Sequence, residues 1–319
     1  MVLEHIKKSD NVLVVSHAQP DGDAVGTTLA MGAALLKMGK KVTIYSEGAL
    51  PAIFRFLPSI DLFVNEIENI EEFDTAIVLD CGDICRIGEL SDQVAKIPVI
   101  INIDHHGTNS QFGDFRIIDS QACATAEIVY NVITELGVEF DEAMAYGIYT
   151  GILTDTGSFL FQNTNAAAFA ISSKMVEYGV DPYIVAQYVY AAYSLGRLKL
   201  LNMVLTTIEI SKNGKLSTMF LSQGMLGETG TQLEDVYGLV NYAKHIEDVQ
   251  VAALIRETCI TSRGKGSYHV SLRSSGDVDV AEIARSKGGG GHHSAAGYKV
   301  EAITYSELKR QISEMAEDL

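Results

Sequence analysis

Apolar residues in the first half of the chain fall into short runs of strand length, separated by longer segments in which they recur at helical spacing. Asn11–Ser16, Lys41–Tyr45, Thr75–Leu79 and Val99–Ile103 are the β-rich runs. Ala24–Met38 is rich in Ala, Leu and Gly at helical spacing, and Ala124–Leu136 and Glu142–Leu153 repeat the pattern. This alternation predicts an α/β domain, a parallel sheet flanked by helices. The polar and acidic motifs follow the strands directly. In open α/β sheets, ligands collect in the crevice beyond those strand ends.

From Pro182 to Leu205 the chain is Tyr/Ala-rich and amphipathic with no strand signal, which predicts a helical connector. β-rich runs return at Thr206–Ser211, Leu216–Ser222, Val249–Glu257 and Tyr268–Leu272, followed by the glycine run Gly288–Gly291 and a polar helix over about Tyr305–Glu317. The expected organisation is an N-terminal domain over residues 1–188, a helical linker over 189–205 and a smaller α/β domain over 206–319. A chain of 319 residues, 47% hydrophobic, suffices for two such cores.

Charge and composition narrow the function. A net charge of −17 repels phosphates overall and disfavours a grip on long duplex nucleic acid, which needs a basic surface. The apolar runs are too short to span a bilayer, and Met1–Asp10 is not followed by the apolar segment of a secretory signal, so the expected location is cytoplasmic with no membrane partner. The four cysteines, Cys81, Cys85, Cys123 and Cys259, lack disulfide or CxxC spacing and read as reduced.

Four motifs at strand or helix ends carry candidate chemistry. Ser16-His17-Ala18-Gln19-Pro20-Asp21-Gly22-Asp23 offers His17, Asp21 and Asp23 around a sharp turn; either acid could instead cap the following helix. Asp80 ends the apolar run Ile77-Val78-Leu79, where a buried carboxylate needs a cation or another partner. Asp104-His105-His106 ends the next run, and Asp155 lies among small residues in Thr154-Asp155-Thr156-Gly157-Ser158. Together His17, Asp21, Asp23, Asp80, His105 and Asp155 are what two divalent cations need if one carboxylate bridges them. The absence of thiolates favours Mn²⁺, with Mg²⁺ or Co²⁺ as substitutes.

In the C-terminal third, the glycines of Gly288–Gly291 allow close backbone approach to an anion, and His292 and Arg273 add charge-assisted donors; a flexible loop is the alternative. Arg256 and Arg263 read as ordinary solvated charges, and His5, His245 and His269 as structural or surface residues.

SHAQPDGDA (16–24), VLDCGD (78–83), IDHH (103–106), TDTGSF (154–159) and GGGGHHSAAG (288–297), in this order, resemble the DHH/DHHA1 phosphoesterase superfamily in its stand-alone oligoribonuclease and pAp-phosphatase type. The resemblance covers nearly the whole chain. It implies one metal held by His17, Asp21 and Asp80 and a second by Asp23, Asp80, His105 and Asp155, with Asp80 as the bridge. It further implies that His106 faces the scissile phosphate and Asp104 orients its neighbours, so His106, Asp80 and Asp104 are the expected catalytic residues. Arg273, Gly290, Gly291 and His292 would hold the non-scissile end of the substrate; His293 receives no role.

The implied activity is Mn²⁺-dependent hydrolysis of short RNA and linear dinucleotides such as pApA to mononucleotides, and of pAp to AMP. Alternatives are a cyclic dinucleotide phosphodiesterase, an inorganic pyrophosphatase or exopolyphosphatase, and a non-catalytic nucleotide-sensing module. The oligomeric state is open, a homodimer included.

Overall fold

The structure, a computed structural model, describes residues 1–191, 193–260 and 265–315, without the side chains of Ala191, Ile260 and His292. Arg263 therefore lies outside the described residues. The chain divides into two compact units, Met1–Ala192 and Tyr193–Leu319.

The first unit is built on six parallel strands: β1 (Asn11–Val15), β2 (Lys41–Tyr45), β3 (Phe63–Val64), β4 (Thr75–Leu79), β5 (Val99–Asp104) and β6 (Phe115–Ile118). Their order is β3-β2-β1-β4-β5-β6. The order reverses between β1 and β4, and this switch point is where a doubly wound sheet opens a crevice beyond its strand ends. β1 and β4 are unbroken apolar runs because both of their faces are covered. Val12, Val14, Ile77, Leu79, Ile101 and Ile103 pack into one core with the helices Gly22–Lys37, Thr125–Leu136 and Glu142–Asp155. The alternate residues Leu13, Val15, Ala76, Val78 and Ile100 pack into a second core on the other face.

Two short edge strands, β3 and β6, and the helix Ala166–Glu177 were not apparent in the hydrophobic pattern. The helices Gly22–Lys37 and Glu142–Asp155 run antiparallel in backbone contact: a Cβ on Gly26 would overlap the Gly147 carbonyl, and one on Gly147 would overlap that of Gly26. Gly39, at φ 79°, takes the left-handed turn that ends the first of these helices.

The second unit has the sheet order β11-β12-β10-β9-β8-β7. Its strands are β7 (Glu209–Ile210), β8 (Leu216–Leu221), β9 (Val251–Ile260), β10 (Gly266–Ser274), β11 (Gly290–His292) and β12 (Ala295–Ile303). All pairings are antiparallel except β8 with β9. One face packs on the helices Val280–Ser286 and Tyr305–Glu314 through Ile255, Val270, Leu272, Leu308 and Ile312. Toward β8 and β9, the other face is covered by Leu195–Leu205 and Val240–Lys244.

Three sequence expectations change here. The stretch from Pro182 to Leu205 is divided: Val185 and Val189 belong to the first unit's core, whereas Leu200 and Val204 belong to a core of the second. The glycine run ends in a paired strand, β11, because the backbone of β12 supplies its hydrogen-bond partners. The strand expected over Thr206–Ser211 is reduced to β7, with Leu195–Leu205 ending just before Thr206. Among the described residues no helix is long and apolar enough to cross a membrane.

The glycine contact between the two long helices is testable. Gly26→Val is expected to force them apart and cost about 2–3 kcal/mol, the usual penalty of overpacking a close-packed interior. Chemical denaturation would show this as a lower midpoint for the first unit, with Gly32→Ala, where the flexible end of Ile44 is the near neighbour, less affected.

Candidate metal centre

The carboxyl ends of β1, β4 and β5 place His17, Asp80 and the Asp104-His105-His106 segment side by side. Asp80 turns the chain at the end of β4 in a left-handed conformation, φ 52°, at a cost of about 1 kcal/mol for a residue with a side chain. Its backbone N–H is held by the Ile103 carbonyl at 3.0 Å. Asp23, Asp80 and Asp104 are 1%, 2% and 0% exposed, so each needs compensation within the protein.

Asp80 is the hub. One carboxylate oxygen, Oδ2, lies 3.6 Å from His17 Nε2. The other, Oδ1, lies 3.8 Å from His105 Nε2 and accepts a hydrogen bond from the Thr125 hydroxyl at 2.9 Å. His105 Nε2 also faces Asp155 Oδ2 at 3.6 Å and Asp23 Oδ2 at 3.9 Å. Among the described residues, two groups of donor atoms are close enough together to share an ion: His17, Asp21 and Asp80, and Asp80, His105 and His106. Asp80 belongs to both.

The histidines are oriented from behind. His17 Nδ1 lies 2.9 Å from the Ala18 carbonyl and His105 Nδ1 lies 3.3 Å from that of Ala122. A carbonyl accepts only from a protonated nitrogen, so in the neutral imidazole each ring turns the lone pair of Nε2 toward the carboxylates. A carbonyl behind the ring and carboxylates ahead of it is the arrangement of a metal-ligating histidine. His106 differs. Its Nδ1–H donates to Asp104 Oδ1 at 2.7 Å, and its Nε2 lies 3.5 Å from Arg86 Nη1. Asp104 is fixed in turn by Asn109, whose amide donates to Oδ2 at 2.6 Å.

The two acids that a cap would have explained are both caps. Asp21 accepts from the backbone N–H groups of Asp23 and Ala24, each at 3.1 Å, at the start of its own helix. Asp23 caps a different helix: its carboxylate accepts from the backbone of Thr125 at 2.6 Å and Ala126 at 2.9 Å. Gly151 leaves room for that carboxylate, since a Cβ there would press on Asp23 Oδ1. The amide of Asn163 donates to Asp155 Oδ2 at 3.2 Å and to the Cys123 carbonyl at 2.7 Å. Arg86, Asn109, Thr125 and Asn163 are thus part of the centre although sequence reasoning missed them. Arg86 and Asn109 sit within a few residues of Asp83 and His106, a faint signal; Thr125 and Asn163 carry none.

Burial, and then the carboxylates of Asp80, Asp155 and Asp21, push Asp23 well above the usual carboxylate range. Burial pushes Asp80 the same way, but the imidazoles of His17, His106 and His105 outweigh it and hold Asp80 well below. Burial would lower His17 and His105; the surrounding carboxylates, chiefly Asp80 for the first and Asp155 for the second, reverse this and raise both. Crowded carboxylates that draw protons onto neighbouring imidazoles are a donor set suited to divalent cations.

In the second unit, Arg273 pairs with Ala295 across β10 and β12, and His292 pairs with Ala295 across β11 and β12. Gly290 and Gly291 lie in the same ribbon, opposite Gly297 and Ala296. The expected anion-binding residues therefore lie on β10 and β11, the two strands that flank β12, with the side chain of His292 outside those described.

Residues 11–152 match the N-terminal domain of the DHH family, and residues 214–319 match the DHHA1 domain. The chain is 32% identical to the bifunctional oligoribonuclease and PAP phosphatase NrnA of Thermus thermophilus, over 98% of this chain and 92% of that protein. The chain belongs to the DHH family. It is accordingly a metal-dependent phosphoester hydrolase. It is also 26% identical to the NrnA protein of Bacillus subtilis, over 98% of this chain and 96% of that one. An exopolyphosphatase-related protein from Bacteroides fragilis superimposes with a TM-score of 0.87 at 29% identity, covering 98% of this chain and 95% of that one.

The protonation pattern has a measurable sign. The raised values of His17, His105 and Asp23 stabilise the metal-free protein below their ordinary values, and that contribution is lost as pH rises past each ordinary value, 6.5 for the imidazoles and 3.8 for Asp23, toward the raised one. The lowered Asp80 contributes above the ordinary carboxylate range and is lost only in acid. The metal-free melting temperature is thus expected to fall as pH rises above 6.5, and the rise produced by Mn²⁺ to grow over the same range as cations replace protons. Thermal scans with EDTA and with Mn²⁺ at several pH values check this; a cation-induced rise independent of pH would contradict it.

Proposed function

We propose that the chain hydrolyses short oligoribonucleotides and linear dinucleotides such as pApA to mononucleotides, and pAp to AMP, using two divalent cations. The observation that carries this reading is the pair of donor groups sharing Asp80 at the end of β4. The named activities of the NrnA relatives, at up to 32% identity over nearly the whole chain, supply the substrate class.

His17, Asp21 and Asp80 would hold one cation, and Asp80 and His105 the other, joined by Asp23 and Asp155, whose carboxylates face the same His105 nitrogen; Mn²⁺ is the first choice, with Mg²⁺ or Co²⁺ as substitutes. When bound, the pair supplies Lewis-acid polarisation of the phosphate and a water of lowered pKa. His106 is set apart as a catalytic residue, because the nitrogen that faces Asp80 already carries the proton given to Asp104. Its Nε2 remains to contact the scissile phosphate or exchange a proton there, with the Arg86 guanidinium beside it as a positive group. Asp104 keeps the ring in that tautomer and orientation, and Asn109 keeps Asp104 in place. Arg273, Gly290, Gly291 and His292 hold the nucleotide away from the reacting phosphate. Residues 1–188 form the catalytic part, and 206–319 the part that selects the substrate.

A pyrophosphatase or exopolyphosphatase reading has one observation in its favour, the likeness to the exopolyphosphatase-related protein. Product analysis with Mn²⁺ against pApA, pAp, cyclic diadenylate and pyrophosphate separates the readings. AMP from pApA and pAp is expected, with Asp80→Ala slower by at least about 10³-fold, roughly 4 kcal/mol of barrier. Phosphate from pyrophosphate alone would transfer the chain to the other activity, and an active Asp80→Ala protein would remove the shared carboxylate from the mechanism.

The Asp104–His106 pair gives a finer test. Asp104→Asn keeps the shape but removes the charge that orients the ring, and activity on pApA is expected to drop about 10–100-fold. Unchanged Mn²⁺ affinity in the same protein would separate this orienting role from cation binding.

A further inference from the structure

The open part of the second unit's sheet carries a concentration of positive charge at odds with a chain of net charge −17. Along β10, alternate residues Ser267, His269, Ser271 and Arg273 share the half-exposed face, while Tyr268, Val270 and Leu272 enter the core. His269 is directly opposite Arg256 on β9 and directly opposite Lys299 on β12. Directly opposed residues share a face of the sheet with Cβ atoms about 5 Å apart, so Arg256, His269 and Lys299 form one continuous cross-strand row.

Arg273, four residues along β10, extends the positive field over the same face. Lys244 is close enough to be affected by it: burial first, then the Arg273 charge, lowers the Lys244 pKa. Arg256 and Lys299 thus flank the His269 ring from the two neighbouring strands. Neither Arg256 nor Lys299 forms an ion pair with a carboxylate among the described residues. The face is also kept open. Gly297 lies opposite Ser271, and a Cβ there would come within 3.3 Å of the His269 ring.

We propose that Arg256, His269 and Lys299 form a second anion subsite, beside Arg273 and the β11–β12 ribbon, that binds a terminal phosphate monoester of a nucleotide. The row supplies a planar guanidinium, an ammonium and an imidazole on one surface, the donor types that recognise a phosphate. His269 Nδ1 lies 3.3 Å from the Ser271 hydroxyl, which anchors the ring from its own strand. Burial, then Arg256, Lys299 and Arg273, holds this imidazole down to about 4. All the charges acting on it are positive, the field an anion would relieve.

The nucleotide part of this assignment rests on the proposed function, but the test does not require turnover. The full-length chain is titrated calorimetrically with AMP, adenosine and inorganic phosphate in EDTA, so that cations in the first unit do not contribute. The same titrations are run with Arg256→Ala/Lys299→Ala and with Lys299→Glu, which changes only an exposed side chain and guards against misfolding of the double variant. AMP affinity is expected to fall at least about tenfold in the double variant and clearly in the single one, while adenosine binding is unchanged. Equal AMP affinity in all three proteins, an equal loss for AMP and adenosine, or no AMP binding by the unmodified chain overturns the subsite. Inorganic phosphate binding as tightly as AMP overturns the assignment to a nucleotide. Absence of hydrolytic activity would count against the proposed function and leave this titration intact.

Discussion

The constraint on which the first unit depends is the crowding of carboxylates at the switch point of its sheet. Asp80 and Asp23 are buried, Asp21 and Asp155 are close enough to act on Asp23, and one imidazole, that of His105, faces three of the four. Such an arrangement opposes folding unless positive charge enters it. Protons on His17 and His105 meet part of that need, and backbone N–H groups meet another part. The start of the helix Thr125–Leu136 aims two N–H groups at Asp23 and one hydroxyl at Asp80, where the helix dipole also favours negative charge. One helix end therefore restrains two acids from different elements, Asp23 in the first turn of a helix and Asp80 at the end of β4.

A second layer fixes the donors without adding charge. Carbonyl groups of Ala18 and Ala122 set the ring orientation of His17 and His105, and Asn163 ties Asp155 to the Cys123 carbonyl. The same logic continues outward through Asp104 to Asn109, whose amide is also bonded to Asn102. Asn102 is a polar residue in the middle of the apolar strand β5, and its own amide satisfies the Val78 and Cys81 carbonyls at the turn that carries Asp80. What looks like an interruption of the hydrophobic run is a brace for the loop at the end of β4.

Much of this was legible in the sequence for a physical reason. β1, β2, β4 and β5 are marked by apolar runs because the sheet is covered, and the ligand candidates stand out as acids and histidines directly after such runs. The edge strands β3 and β6 gave little signal because they are short and bury less. β11 could not be distinguished from a loop, since glycine carries no strand preference and its partners on β12 are themselves glycine and alanine. Thr125 and Asn163 are common residue types whose roles arise only when distant segments meet. Asp21 caps its own helix and Asp23 one about a hundred residues away, so a capping bond and a place at the centre are not exclusive at either position. Taken singly, Arg256 and His269 are indistinguishable from ordinary surface or structural residues. The two-residue spacing of His269, Ser271 and Arg273 already placed these three on one face.

The glycine contact between Gly22–Lys37 and Glu142–Asp155 reaches further than packing. One helix begins at the turn that holds Asp21 and Asp23, and the other ends at Asp155, so the contact at Gly26 and Gly147 works as a caliper between acids on opposite sides of the centre. Ligand bonds to a cation tolerate only about 0.2 Å of displacement, far less than the width of a methyl group. The gauge of the site is therefore set in the interior of the domain, by two residues with no side chain at all. A lineage that altered either glycine would retune which ions fit before it touched a single ligand.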